Sequence, residues 1–157
     1  MRLQLRNFIQ SIVLGMVVLA LGASVSQGQT TSVGSSEKAN VPLFTDYRGV
    51  KIGMSADDVR SKLNDIKKGD HQDYLVLADQ ESAQIYYDNE GKVTAISIDY
   101  FDNGKAPAPD AVLGTALQAK ADGSMYQLNR YPEAGYWVSY NRTAGDKPII
   151  TITIQKM

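Results

Sequence analysis

Cysteine is absent from the chain. That single absence removes thiol nucleophiles, disulfide staples, cysteine-based zinc sites and iron–sulfur clusters together. It also removes the lipidation cysteine that tethers an envelope lipoprotein. Histidine occurs once, as His71, so a histidine-centred catalytic triad could be built only there. Basic charge is not in excess either. The 16 basic and 17 acidic residues give a formal charge of −1, too little to displace counterions from a polyanion, and nucleic acid is not an expected partner. Neither a Gly-x-Ser-x-Gly elbow nor a glycine-rich phosphate loop occurs.

What the chain does have is ordinary globular material. At 157 residues, 43% apolar and 21% charged, it is long enough for one well-packed domain and too apolar for wholesale disorder. The first 28 residues carry the pattern of a secretory signal. Arg2 and Arg6 open it, residues 8–23 are largely apolar, and Gly22-Ala23-Ser24-Val25-Ser26 supplies small side chains. Cleavage after Ser26 or after Gly28 satisfies the small-residue requirement. An uncleaved anchor is the alternative, but the apolar stretch is short for a span of about 20 residues and Gln10 and Ser11 interrupt it. Removal of residues 1–28 takes two basic residues and no acid, which moves the formal charge from −1 to −3. The expected mature protein is periplasmic or secreted, without a stable membrane span after cleavage. Residues 29–44 read as a flexible polar linker, and 45–157 as a single domain.

The domain is organised around a hairpin. Strand-like runs at 83–87 and 93–100 flank Asp88-Asn89-Glu90-Gly91, a set of residues that tight connections favour. A four-residue loop sets Tyr87 opposite Lys92 and places Ile85, Tyr87, Ile96, Ile98 and Tyr100 on one face. A register slip of one residue would exchange faces, so this loop length is the one that builds a single apolar surface. Upstream, Ser55 is an N-cap with Asp58 at N3, and Met54 and Val59 form a hydrophobic staple. Val59, Leu63 and Ile66 give the helix one apolar stripe, and its end is expected between Asn64 and Lys68 ahead of Gly69. Tyr74-Leu75-Val76-Leu77 reads as a strand.

The second half follows the same plan. Pro109-Asp110-Ala111-Val112-Leu113 starts a short helix, and strand-like runs follow at 124–131, 135–140 and 149–155. Ile150, Ile152 and Ile154 alternate with Thr151 and Thr153, the clearest half-buried strand. The expected fold class is therefore α+β, an antiparallel sheet with helices on one face. It is built as a tandem repeat of helix–strand–strand–strand over about 49–100 and 106–157.

The stretch Gly49-Val50-Lys51-Ile52-Gly53-Met54-Ser55-Ala56-Asp57-Asp58-Val59-Arg60-Ser61-Lys62-Leu63 resembles the opening of SmpA/BamE-like envelope domains. In those domains a glycine, a Met-Ser/Thr cap and a Val-x-x-x-Leu helix precede a small antiparallel sheet. The tandem plan resembles the β-lactamase-inhibitor-protein type of fold, whose concave sheet face grips another protein. The resemblance implies an exported α+β domain and suggests protein binding. It carries over no partner-contacting residue.

Candidate sites are few. Asp70-His71-Gln72-Asp73 sets a histidine between two carboxylates, but it matches no ligand spacing and reads as a solvated loop. Asp88-Asn89-Glu90-Gly91 lacks the alternating ligands of a calcium loop. Asp99 and Asp102 could be paired carboxylates of a hydrolase, yet nothing in the sequence brings them together and strand-end acids are commonly just solvated. No metal site, no cofactor and no catalytic residue is assigned, and the protein is not expected to be an enzyme. The aromatics stand out instead, with nine tyrosines and one tryptophan. If Tyr136, Val138 and Tyr140 face the core, Trp137 points away from it, and by the same alternation so does Tyr86. Tyr131 sits at a turn. Tyr86, Tyr131 and Trp137 are the expected anchors for another exported or envelope protein. The competing arrangement packs these rings beneath a loop, against the lead-in or between the halves. A small-ligand or metal-binding periplasmic protein is the alternative function.

Overall fold

The computed structural model describes residues 41–77, 80–101 and 105–157. The signal segment 1–28, residues 29–40 of the linker and Asp102 lie outside the described residues. Six strands form one antiparallel sheet: β1 (Gln72–Leu77), β2 (Glu81–Tyr87), β3 (Val93–Tyr100), β4 (Met125–Tyr131), β5 (Tyr136–Arg142) and β6 (Ile150–Lys156). Their order across the sheet is β1-β2-β3-β6-β5-β4, so the last strand of each half meets the other at the centre. Two short helices, α1 (Ala56–Lys62) and α2 (Pro109–Leu113), complete a mixed α+β fold that is predominantly sheet.

Both helices deliver their apolar side chains to the same cluster as one sheet face. Val59 from α1, Leu63 just past its end, and Val112 and Leu113 from α2 join Ile85, Ile96, Ile98, Val138, Ile152 and Ile154. The alternation expected on β5 and β6 holds, with Tyr136, Val138, Tyr140, Ile150, Ile152 and Ile154 all buried. Phe44, inside the stretch expected to be linker, also packs against this cluster.

The central hairpin keeps its expected faces but changes its register. Tyr87 lies opposite Val93 rather than Lys92, Tyr86 opposite Ala95, and Ile85 opposite Ile96. Thr94 is the extra residue of a β-bulge. The bulge has a packing consequence, because Val93 would otherwise alternate to the open side. With Thr94 inserted, Val93 joins Ile96 and Ile98 at 0% exposure, a burial contributing about 1.5–3 kcal/mol. The Asp88 carboxylate holds the turn by accepting from the Glu90 and Lys92 amides at 3.0 and 2.8 Å. Gly91 takes the left-handed conformation (φ +70°) that a side chain would strain.

Ser55 caps α1 as expected, its hydroxyl accepting from the Asp58 amide at 3.2 Å. The helix nevertheless ends at Lys62, earlier than the apolar stripe indicates. Leu63 is extended and Asp65 adopts φ +60°, which turns the chain back so that Lys67 pairs with Tyr74 on the outer edge of β1. Ile66 is half-buried against the core from outside the helix.

The reading of residues 70–73 as a solvated loop is corrected by the structure. Gln72 and Asp73 belong to β1, and Asp73 is fully buried. Arg60 of α1 donates from Nε and Nη2 to its two oxygens at 2.9 and 3.0 Å. The Tyr87 hydroxyl donates at 2.8 Å and the Gly69 amide at 3.1 Å. Burial by itself would raise the Asp73 pKa. The donors from Arg60, Tyr87 and Gly69 outweigh it and hold the carboxyl below its ordinary value of 3.8. Gly69 must be glycine here, since a Cβ would stand 2.4 Å from the Gln72 carbonyl oxygen.

Replacing Asp73 by Asn strands a guanidinium against a neutral partner and is expected to cost about 3 kcal/mol in urea unfolding. The pH dependence follows from the lowered native pKa. Asp73 binds its proton less readily in the folded state, so its stabilisation is full above pH 3.8 and is lost as pH falls through the lower native value. Asp73→Asn should therefore flatten that acid limb of the stability curve. An unchanged limb would remove Asp73 from the account.

Candidate functional site

The sheet face opposite the helices is built from three cross-strand rows fixed by the register. The first row reads Gln72, Tyr86, Ala95, Gln155, Trp137, Arg130 from edge to edge. Tyr74, Gln84, Ser97, Thr153, Ser139 and Leu128 make the second. The third is Val76, Ser82, Asp99, Thr151, Asn141 and Tyr126. Of these 18 positions only Asp99 and Arg130 are charged, and Asp99 accepts a hydrogen bond from the Thr151 hydroxyl at 2.7 Å. Apart from Asp99 and Gln155, the central strands contribute small or hydroxyl-bearing residues, and larger side chains stand on both sides.

Tyr86 and Trp137 stand in the same row with Ala95 and Gln155 between them. Three strand spacings put their backbones about 14 Å apart. The depression between them measures about 530 Å³ and is lined by Tyr86, Thr94, Ala95, Ser97, Trp137, Thr153 and Gln155. Both residues are half-buried and line the depression. The Tyr86 hydroxyl donates to Gln84 Oε1 at 2.6 Å. Burial first, then Tyr74 and Asp99, raise its pKa, so the phenol stays a neutral donor at physiological pH.

The alternation expected for Tyr86 and Trp137 holds, and both fall on the face opposite the helices. Tyr86 and Trp137 share one row and one depression. Tyr131 does not join them, because it falls on the helix side of β4 opposite Tyr136. It is 2% exposed, with its ring centroid 6.2 Å from that of Tyr136. Its place next to a turn suggested exposure, but strand alternation sends it inward.

Sequence reasoning missed the contributions of the edge strands. On β4 the expected polarity is inverted. Tyr126 is 62% exposed and Leu128 is half-buried on the open face, while Gln127 and Asn129 point to the helix side. The inward amides have partners. Gln127 Nε2 donates to Asn129 Oδ1 at 2.9 Å, and Asn129 Nδ2 donates to the Leu113 carbonyl at the end of α2 at 3.1 Å. At the opposite edge Tyr74 and Val76 are also exposed. The alternation of Tyr126 and Leu128 with Gln127 and Asn129 is legible in the sequence, but its direction is not.

Elsewhere, a smaller hollow of about 230 Å³ lies between the end of α1 and β1, lined by Arg48, Lys62, Leu63, Asn64, Asp65, Leu75 and Leu77. Arg48 is already engaged, with Glu81 at 3.3 Å and the Tyr47 ring beneath its guanidinium. Among the described residues no group of three or more His, Cys, Asp or Glu side chains converges on a metal position. Among them, too, no helix is long and apolar enough to cross a membrane.

In comparisons with known proteins, the chain matches no family model, no curated protein and no solved structure.

The two faces differ in what a truncation should cost. Tyr131→Ala removes a buried ring and is expected to destabilise by about 3–5 kcal/mol. Tyr86→Ala and Trp137→Ala remove half-exposed rings and should each cost roughly 1 kcal/mol, within the ordinary range for point substitutions. Urea midpoints of the three variants check the order. Equal losses at all three positions would place Tyr86 and Trp137 in the core.

Proposed function

We propose that the protein is an exported, non-catalytic interaction module of the bacterial cell envelope, periplasmic or secreted. In this reading the open sheet face grips another exported or envelope protein. The observation that carries it is the row in which Tyr86 and Trp137 flank a depression on a face with two charges in 18 positions. Depletion of charge with enrichment of aromatics is the composition of interface cores, and tryptophan and tyrosine dominate their energetics. The inverted β4, which spends Tyr126 and Leu128 on the open face, supports the same reading.

Two sequence features are consistent with it. The N-terminal 28 residues have the signal pattern, and residues 49–63 resemble the SmpA/BamE-like opening. The strand order β1-β2-β3-β6-β5-β4, three strands from each half meeting at β3 and β6, supports the tandem helix–strand–strand–strand plan. A second reading, a small ligand held between helix and sheet, draws on the hollow beside Lys62 and Leu75. That hollow is the smaller of the two, about 230 Å³ against about 530 Å³, and the larger depression favours the first reading.

The test is affinity capture from the native envelope fraction, with the full chain as bait and captured proteins identified by mass spectrometry. Trp137→Ala runs beside wild type, with both confirmed folded. The expected result is a specific protein whose affinity falls by about 30-fold or more in the variant, the scale of a hot-spot residue. Capture of nothing above background by wild type, or equal capture by both, would contradict the proposal.

A further inference from the structure

The chemistry of the depression also constrains what the partner presents to it. We infer that the open face takes an uncharged, proline-rich segment in the polyproline II conformation, laid between Tyr86 and Trp137. This rests on the reading of that face as a protein-binding surface, and narrows it to one class of peptide.

Three observations favour this occupant. The first is the nature of the walls and floor. Tyr86 and Trp137 stand on either side of a floor of Thr94, Ala95, Ser97, Thr153 and Gln155, which carries no large aliphatic side chain. An amphipathic helix docks by sinking apolar anchors into an apolar groove, and this floor offers only the Ala95 methyl and the threonine methyls. Proline rings, by contrast, dock on aromatic side chains, and aromatic-lined grooves are the recurring receptors for polyproline II segments.

The second observation is hydrogen bonding. Backbone groups in the middle of the sheet are spent on the ladders to β2, β3, β6 and β5, so this face cannot capture a peptide by adding a strand. Its polar contacts must come from side chains. A polyproline II backbone makes no internal hydrogen bonds and presents its carbonyls outward. The Gln155 amide and the Thr153 hydroxyl line the depression between the two rings and are donors for those carbonyls.

The third is spacing and charge. A polyproline II helix rises about 3.1 Å per residue with three residues per turn, so prolines at i and i+3 are about 9 Å apart. The Tyr86 and Trp137 backbones are about 14 Å apart, a gap that about four to five residues of such a segment span. Of the two charges on the face, Asp99 lies on the row farthest from Tyr86 and Trp137, and Arg130 lies at the edge of the sheet. The segment accordingly carries no charge at its centre.

The chain's one tryptophan makes the test direct. Acetyl-decaproline amide is titrated into the full-length protein while Trp137 fluorescence is followed. A fluorescein-labelled copy read by anisotropy serves for the variants. The expected result is saturable binding below about 1 mM that weakens at least about tenfold in Tyr86→Ala and in Trp137→Ala. Tyr86→Phe, which keeps the ring, should restore binding, and Tyr126→Ala, on the far row, should leave it unchanged. A Gly-Ser peptide of equal length should not bind.

Absence of saturation with decaproline overturns the inference, as does binding indifferent to Tyr86. Saturation by a neutral oligosaccharide in place of decaproline overturns it too, and assigns the rings to sugar stacking. If decaproline fails while envelope capture still depends on Trp137, the peptide class is wrong and the protein-binding reading stands. If both fail, that reading falls with it.

Discussion

Side chains along a β-strand point alternately to opposite faces, so a six-stranded sheet has two surfaces to account for. The described residues supply two α-helices, of seven and five residues, and both deliver their apolar residues to the same one. The other surface is left without a covering element among the described residues, and its composition differs accordingly. The isoleucines of β3 and β6 go inward, and alanine, serine and threonine occupy the open side of the same strands. Local irregularities follow from the same constraint. The bulge at Thr94 brings Val93 to the helix side, and β4 turns Asn129 inward to the end of α2 while Tyr126 and Leu128 face out.

Covering one face with so little helix requires that α1 be held in place by more than its apolar stripe. Only Val59 within it is buried. The bidentate contact from Arg60 to Asp73 ties α1 to β1, and the Tyr87 hydroxyl extends the tie to β2. A second set of bonds pins the start of the helix to the central hairpin, with the Gly53 amide on the Val93 carbonyl at 2.8 Å and the Ala56 amide on the Gly91 carbonyl at 2.9 Å. A fully buried carboxylate is costly unless its charge is compensated and its lone pairs are filled. Here Arg60 supplies the charge, and four donors meet two oxygens. Such a pair adds directionality that an apolar contact lacks, and it fixes the angle at which a two-turn helix meets the sheet.

Much of the architecture was legible in the sequence, for identifiable reasons. Period-two alternation at Ile150, Ile152 and Ile154 and a single Ser55 cap are local signals, and both survive folding unchanged. The faces of the central hairpin were also readable, because a one-residue slip would have split its isoleucines. The register was not, since a bulge preserves faces while shifting pairing, and periodicity alone is blind to it. Asp73 escaped notice for a similar reason. In sequence it sits among polar residues, and only the arrival of Arg60 from 13 positions upstream makes its burial possible. At the candidate site, Tyr86 and Trp137 could be read from alternation beside strong strands, whereas Tyr131 was misjudged because adjacency to a turn was weighed above its own strand's phase. That Tyr86 and Trp137 share a row depended on pairing between β3 and β6, a contact between residues more than 50 apart that local sequence cannot encode.

The account stands on the assignment of Trp137 to an open face rather than to a second core. Acrylamide quenching of its fluorescence in the free protein measures that assignment directly, because no other tryptophan contributes. The account predicts a quenching constant between that of free tryptophan and that of a ring sealed in a core, as suits a half-buried side chain facing solvent. A ring inaccessible to acrylamide in the native protein, and quenched only on unfolding, would mean that something covers this face. The division of the sheet into a packed side and a binding side would then be wrong.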